Sequence, residues 1–433
     1  MKQKLGSRKM IKNICIIYFA LILAGFLMMC FVHLLPTKIM DKHVAESKGV
    51  FEQEGVYPQL MAGHLDARLD NWTDAIMLLV AAYDGEGTAF TESMRNGYWR
   101  VNGKNPAESL VELYSGGKEG SSVVSYARYW HGYEIFLKPM LLFFNYQEIR
   151  YVMVAVQICL FGVVIVLFTL RNMIKEMIPL ILTYLFLNPA VLLLSMQMSQ
   201  IWILVLIQFI FILYFDKAYQ SNTDIWINHF FMIGCLTSFF DFLSYPLVTL
   251  GITGTFLICR NLDKIQKQLV SFLKISVAWG CGYVFMWIGK WVLGSMILKR
   301  NIIKDAVSVF RTRAGYETAS EEFTYFDVLS RNLSVRKDFL YAILILMVVC
   351  MIFGIHHKVK LQLNHLFFII FALFPFGWYL IATNHSYIHY WFTYREMAIT
   401  VYALSLMGTS VFIKEKTQYE SRNTCRRLRQ PHQ

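Results

Sequence analysis

Residues 2–35 read KQKLGSRKMIKNICIIYFALILAGFLMMCFVHLL, in which Lys2, Lys4, Arg8, Lys9 and Lys12 precede an apolar run from Ile14 to Leu35. A helix needs roughly 20 apolar residues to cross a hydrocarbon core, and this run supplies them. It is longer than the apolar stretch of a secretory leader and lacks a small-x-small cleavage site, so it reads as an uncleaved first span. Basic residues collect on the cytoplasmic side of a membrane, which places the N-terminus inside.

The pattern recurs. The chain has 433 residues, 56% hydrophobic and 16% charged, more apolar surface than a soluble core requires. Further apolar runs lie at 150–170, 177–195, 200–215, 228–245, 246–259, 270–298, 338–355, 365–383 and 397–413. With the first they make an all-α polytopic membrane protein of about ten crossings. Starting inside, the cytoplasmic connections collect Arg171 and Lys175, then Lys217, then Arg260, Lys264 and Lys267, then Lys358 and Lys360, and the tail adds Lys414, Lys416, Arg422, Arg426, Arg427 and Arg429. Both termini are therefore expected in the cytoplasm of a plasma-membrane protein. The count depends on Pro246: a hairpin there keeps the Arg-rich tail inside, whereas one kinked helix over 228–259 reverses everything downstream.

The formal charge of +12 belongs to helix ends and anionic lipid, and no basic-aromatic module points to nucleic acid. Seven of the eight cysteines sit in apolar runs, with no CxxC pair and no zinc spacing, which argues against a disulfide framework or a zinc centre. The layout is a basic N-terminus and first span (1–35), a large outer loop (36–149), a bundle (150–298), an outer basic loop (299–337), closing spans (338–413) and a basic tail (414–433). Within the large loop, Trp72 to Tyr83 and Ile135 to Phe144 are too short to span and read as interfacial helices.

Polar residues that could carry chemistry gather in these outer segments. Asp66, Asp70 and Asp74 fall at i, i+4 and i+8 in HLDARLDNWTD (64–74), one face of a helix. Three such carboxylates repel, and one with a raised pKa suits proton abstraction; the plainer alternative is a solvated face in which Asp74 caps the next helix. Arg128 and His131 stand among aromatics in YARYWHGY (126–133), suited to a phosphate beside a sugar ring, although aromatic belts occur at any interface. Asp241 and Tyr245 in TSFFDFLSYP (237–246), and Lys290 in WIGKW (287–291), interrupt apolar sequence. An ionisable residue there costs about 2.5–3.5 kcal/mol and marks function by default; Asp241 and Lys290 lie at similar depth, where an ion pair would be equally economical. His385, His389 and Arg395 in the segment 384–396 are placed to converge on an anion, and two imidazoles four apart give weak support for a divalent metal. Arg313 belongs to an excess of cations in the 299–337 loop.

A basic N-terminus, one span, a long acidic outer loop with interfacial helices and a dense bundle together resemble the GT-C superfamily of membrane glycosyltransferases. That resemblance implies a polyprenyl-phosphate sugar donor, a glycan or lipid-linked acceptor and an inverting transfer on the outer face. Asp70 or Asp74, and less readily Asp66, would be the base. Arg128, Lys290, Arg313, His385 or Arg395 would hold the departing phosphate, with His131, Asp241, Tyr245 and His389 in the substrate site. The chain departs from better-known branches in lacking an adjacent acidic pair soon after the first helix. Two other classes share the outer-face pattern: a polysaccharide polymerase or ligase using lipid-diphosphate glycans, and a flippase with Asp241 and Lys290 in a central cavity.

Overall fold

The computed structural model describes residues 2–410 except 222, 263, 319, 320 and 357–365; Lys358, Lys360 and the basic tail lie outside the described residues. Helix follows helix from Lys2 onward. The sheet among the described residues is one antiparallel hairpin, Gly97–Val101 against Ser121–Ser125, inside the large loop. Among the described residues, four helices are long and apolar enough to cross a membrane: Arg8–Val32, Tyr146–Leu170, Met196–Tyr214 and Ile265–Leu298. The run 338–355 lies in the single 20-residue helix Lys337–His356, and two other apolar runs are divided. The run 177–195 folds as Ile174–Phe186 and Pro189–Leu194, separated at Asn188 with φ +64°. The run 365–383 divides into Leu366–Ala372 and Phe374–Ile381, with Pro375 in the first turn of the second piece, where its missing N–H costs nothing.

Polar contacts join distant segments in two groups among others. In one, Arg171 and Arg260 both bind Asp216, and the Thr409 hydroxyl donates to the Lys175 carbonyl at 2.9 Å. In the other, Asp66 meets Arg336 at 2.8 Å, the Gly132 amide donates to the Phe239 carbonyl at 2.9 Å, and Asn384 donates to the Thr312 carbonyl at 2.8 Å. The helices Tyr146–Leu170, Met196–Tyr214 and Val248–Asn261 therefore end close together at Asp216. Thr223–Phe240 and Val248–Asn261 are separate helices. Thr237 faces Thr249 at 2.9 Å and Phe230 packs beside Gly254, a reversed register, so the turn containing Pro246 makes a hairpin.

Residues 36–149 form a subdomain whose core includes Met40, Val44, Phe51, Leu78, Leu110, Leu137 and Tyr146 and is joined by Met196. The Asn71–Ala81 helix is buried at nine of its eleven positions. It is not an interfacial helix: apolar on all sides, it is wrapped by protein. Glu134–Leu141 is also largely enclosed, although Phe136 projects from it.

The helices Thr223–Phe240 and Ile265–Leu298 touch backbone to backbone. A Cβ on Gly234 would lie 2.1 Å from the Trp279 carbonyl oxygen, and one on Gly282 2.1 Å from that of Phe231. Such contact is how helices associate where no hydrophobic drive exists between them. Gly234→Leu or Gly282→Leu is expected to abolish the monodisperse peak of detergent-solubilised protein in size-exclusion chromatography, whereas Gly162→Leu, with open space around it, leaves the peak intact.

Candidate functional site

Trp279, Tyr283, Trp287 and Trp291 recur every fourth residue along the Ile265–Leu298 helix, which puts them on one face. Their rings follow one another with centroid separations of 5.0, 4.9 and 6.0 Å. This ladder is one wall of a cleft of about 380 Å³. Leu243, Leu247 and Leu250, then Ala306, Val309 and Phe310, then Phe374, Trp378 and Ile381 complete it.

Arg128 and Arg313 are the charged residues of that lining among the described residues. The Arg128 guanidinium lies 4.7 Å from the Tyr126 ring and 5.5 Å from the Tyr129 ring, and Arg313 lies 5.6 Å from the same Tyr129. One phenol thus stands between two cations, attracting each by its π-face. Arg128 also meets Asp305 at 3.3 Å, a pair whose acidic member is 48% exposed and therefore adds little. The Trp291 indole donates to the Arg128 carbonyl at 2.9 Å, tying the ladder to the 126–133 segment. Two guanidiniums over an aromatic trough suit an amphiphile with an anionic head.

Buried polar groups back this cleft. Asp241 accepts from the Ser244 amide at 3.0 and 3.1 Å and from its hydroxyl, in the turn that presents Leu243 to the cleft. The Tyr283 hydroxyl is buried without a hydrogen-bond partner among the described residues and lies in electrostatic range of Asp241 and Glu396. Glu396 accepts from the Leu247 amide at 3.3 Å through Oε1, while Oε2 has no partner among the described residues. His385 donates from Nε2 to the Leu243 carbonyl at 2.7 Å.

The other expected site residues are engaged elsewhere. Asp66 binds Arg336 and accepts from Asn188 at 3.0 Å. Asp70 caps the Asn71–Ala81 helix, accepting from the Thr73 amide at 3.1 Å and hydroxyl at 2.7 Å. Asp74 accepts from the Tyr146 hydroxyl at 2.7 Å and from the Met196 and Gln197 amides at 3.0 Å each. It caps the Met196–Tyr214 helix rather than its own, and its acceptor capacity is spent there. None of the three carboxylates lines the cleft.

Lys290 does not pair with Asp241: its ammonium donates to the Ser93 carbonyl at 3.1 Å and to Asn96 at 2.8 Å, because the 36–149 subdomain packs against that part of the helix. His131, at φ +58°, is held by the Tyr126 carbonyl and Tyr133 hydroxyl at 3.0 Å each, and burial pushes its pKa down to about 3. The Tyr245 hydroxyl donates to the Met198 carbonyl. Arg395 is fully buried and turned toward the Leu187 and Asp66 carbonyls at 3.3 and 3.2 Å. The His385 and His389 rings lie 4.8 Å apart; burial first, and Arg313 second, lowers the pKa of both, His389 to about 4. They are neutral donors or acceptors rather than cations, and no third metal ligand joins them among the described residues.

Of the expected anion-binding residues, Arg128 and Arg313 are therefore the pair brought together. The aromatic ladder, Tyr129 and Glu396 belong with them. The four-residue spacing of the ladder was readable in the sequence, but inside an apolar run it has the look of ordinary span packing. No family model, curated protein or solved structure matches this chain.

Burial raises Asp70 to about 7, with Thr73 opposing and Asp74 adding, and burial raises Asp74 to about 6 against Arg150 and its hydrogen bonds. Both carboxyls hold protons more tightly in the folded state than unfolded, from an ordinary value of 3.8. Their contribution to stability is greatest at low pH and declines as pH rises toward 7. Asp70→Asn should flatten the fall in Tm between pH 5 and pH 8, measured by thermal unfolding in detergent, and should raise Tm most at the alkaline end.

Proposed function

We propose that this chain is a glycosyltransferase of the plasma membrane, with about ten crossings and both termini cytoplasmic. It moves a sugar from a polyprenyl-phosphate carrier to a glycan or lipid-linked acceptor on the outer face. The observation that carries this reading is the aromatic cleft with Arg128 and Arg313 as its charged residues. The prenyl chain lies along Trp279, Trp287 and Trp291, and the phosphate lies at the two guanidiniums. Contacts of Arg395 with the Asp66 carbonyl, of His385 with the Leu243 carbonyl and of His131 with Phe242 support a path that brings segments 64–74, 126–133, 241–246 and 384–396 to one side.

The transfer is a displacement at the anomeric carbon. An acceptor hydroxyl forms the new bond as the bond to the carrier phosphate breaks, and the configuration inverts. Arg128 and Arg313 take up the charge that develops on the leaving phosphate. Asp241 is the base we assign, since its turn lines the cleft whereas Asp66, Asp70 and Asp74 serve the packing of the outer subdomain. A cationic rather than carboxylate lining also favours, as a second reading, a polymerase or ligase that releases a lipid diphosphate.

Loss of one preorganised charge partner typically costs about 10²–10³ in kcat, and Arg128→Ala and Arg313→Ala are each expected to fall in that range in a nanodisc transfer assay. Unimpaired transfer by the double variant would remove the assigned phosphate site. Asp241→Asn should abolish transfer while leaving donor binding intact, whereas Asp70→Asn should retain it. Turnover of a lipid-diphosphate glycan but not of a lipid-monophosphate sugar selects the second reading.

A further inference from the structure

A second cavity, of about 300 Å³, lies in the outer subdomain between the Thr37–Glu46 helix, the end of the Asn71–Ala81 helix and the 97–125 hairpin. It shares no lining residue with the aromatic cleft among the described residues. Trp99 forms its floor, with Tyr83 at a ring separation of 6.3 Å. The Trp99 indole N–H is itself buried and has no acceptor among the described residues. Polar atoms surround the ring. Tyr114 donates to Asp41 at 2.6 Å, Thr37 donates to Asp84 at 3.2 Å, and the Lys118 ammonium lies 4.9 Å from the Trp99 centroid.

Two lysines, Lys38 and Lys118, balance two aspartates, Asp41 and Asp84, in this lining. An anion gains little there, and a lipid tail would have Leu79, Ala82 and Leu113 as its aliphatic partners among the described residues. Flat aromatic faces beside carboxylate acceptors and ammonium donors instead match a ligand with apolar C–H faces and a rim of hydroxyls. We infer that this cavity binds a neutral oligosaccharide, as a docking site for a part of the acceptor glycan remote from the reacting end. The saccharide site is argued from its own residues; its role as acceptor site rests on the glycosyltransferase reading.

The test is saturation-transfer difference NMR on the full chain in nanodiscs, with cellopentaose, maltopentaose and N-acetylchitopentaose as neutral probes and tetragalacturonate as the anionic one. At least one neutral probe should receive saturation. Its affinity should fall at least about tenfold in Trp99→Ala and in Asp84→Ala, and should be unchanged in Trp291→Ala. Asp84 is exposed, so that variant decides the matter if Trp99→Ala fails to fold. No transfer to any neutral probe, transfer to tetragalacturonate alone, or equal affinity in Asp84→Ala and the parent overturns the site. Donor turnover through Arg128 and Arg313 is read separately, so failure here and failure of the lipid-carrier cleft are distinguishable.

Discussion

A fully buried carboxylate, Asp74, accepts from the first two backbone amides of the Met196–Tyr214 helix and from the Tyr146 hydroxyl, and the placement of the 36–149 subdomain depends on it. The first N–H groups of a helix have no partner within that helix. Here a side chain from a distant segment fills that need, so two parts of the chain 122 residues apart are fixed together. Arg150 sits beside this centre, bonded to Tyr146, Asn71 and Glu54, and so extends the joint to the Tyr146–Leu170 helix. Asp66 with Arg336, and Lys290 with Asn96, fasten the same subdomain at two further points. Truncating one member of such a buried set leaves the others uncompensated, the costly way to lose a polar contact.

Once these joints are made, few charges remain for chemistry. Glu134 is enclosed by His33 at 3.2 Å, Lys138 at 3.6 Å and Asn96 at 2.7 Å, and Arg395 is committed to main-chain carbonyls. Arg128 and Arg313 differ because their neighbours are π-faces and one largely exposed carboxylate. An aromatic face steadies a guanidinium without neutralising it, and the charge stays available to a ligand in the cleft. Tertiary packing thus sorts chemically similar side chains into fasteners and binding groups.

Much of the architecture was legible in the chain. Apolar runs of span length and the turn at Pro246 correspond to helices and a helical hairpin, and Arg128 and Arg313 were recognisable as cations in polar segments. The roles of the acidic motif were not legible. Asp66, Asp70 and Asp74 look alike in HLDARLDNWTD, yet one forms an ion pair, one caps its own helix and one caps another. Asp241 and Lys290 have matching depth but point to different partners.

The sequence by itself determined that the chain is apolar and helical, because hydrophobicity and span length are local properties that a bilayer reads directly. Only the tertiary structure decided which ionisable groups are spent on holding the fold and which line a cleft. That outcome depends on distances between residues far apart in the chain, such as Asp74 and Met196 or Tyr129 and Arg313, and no local pattern encodes them.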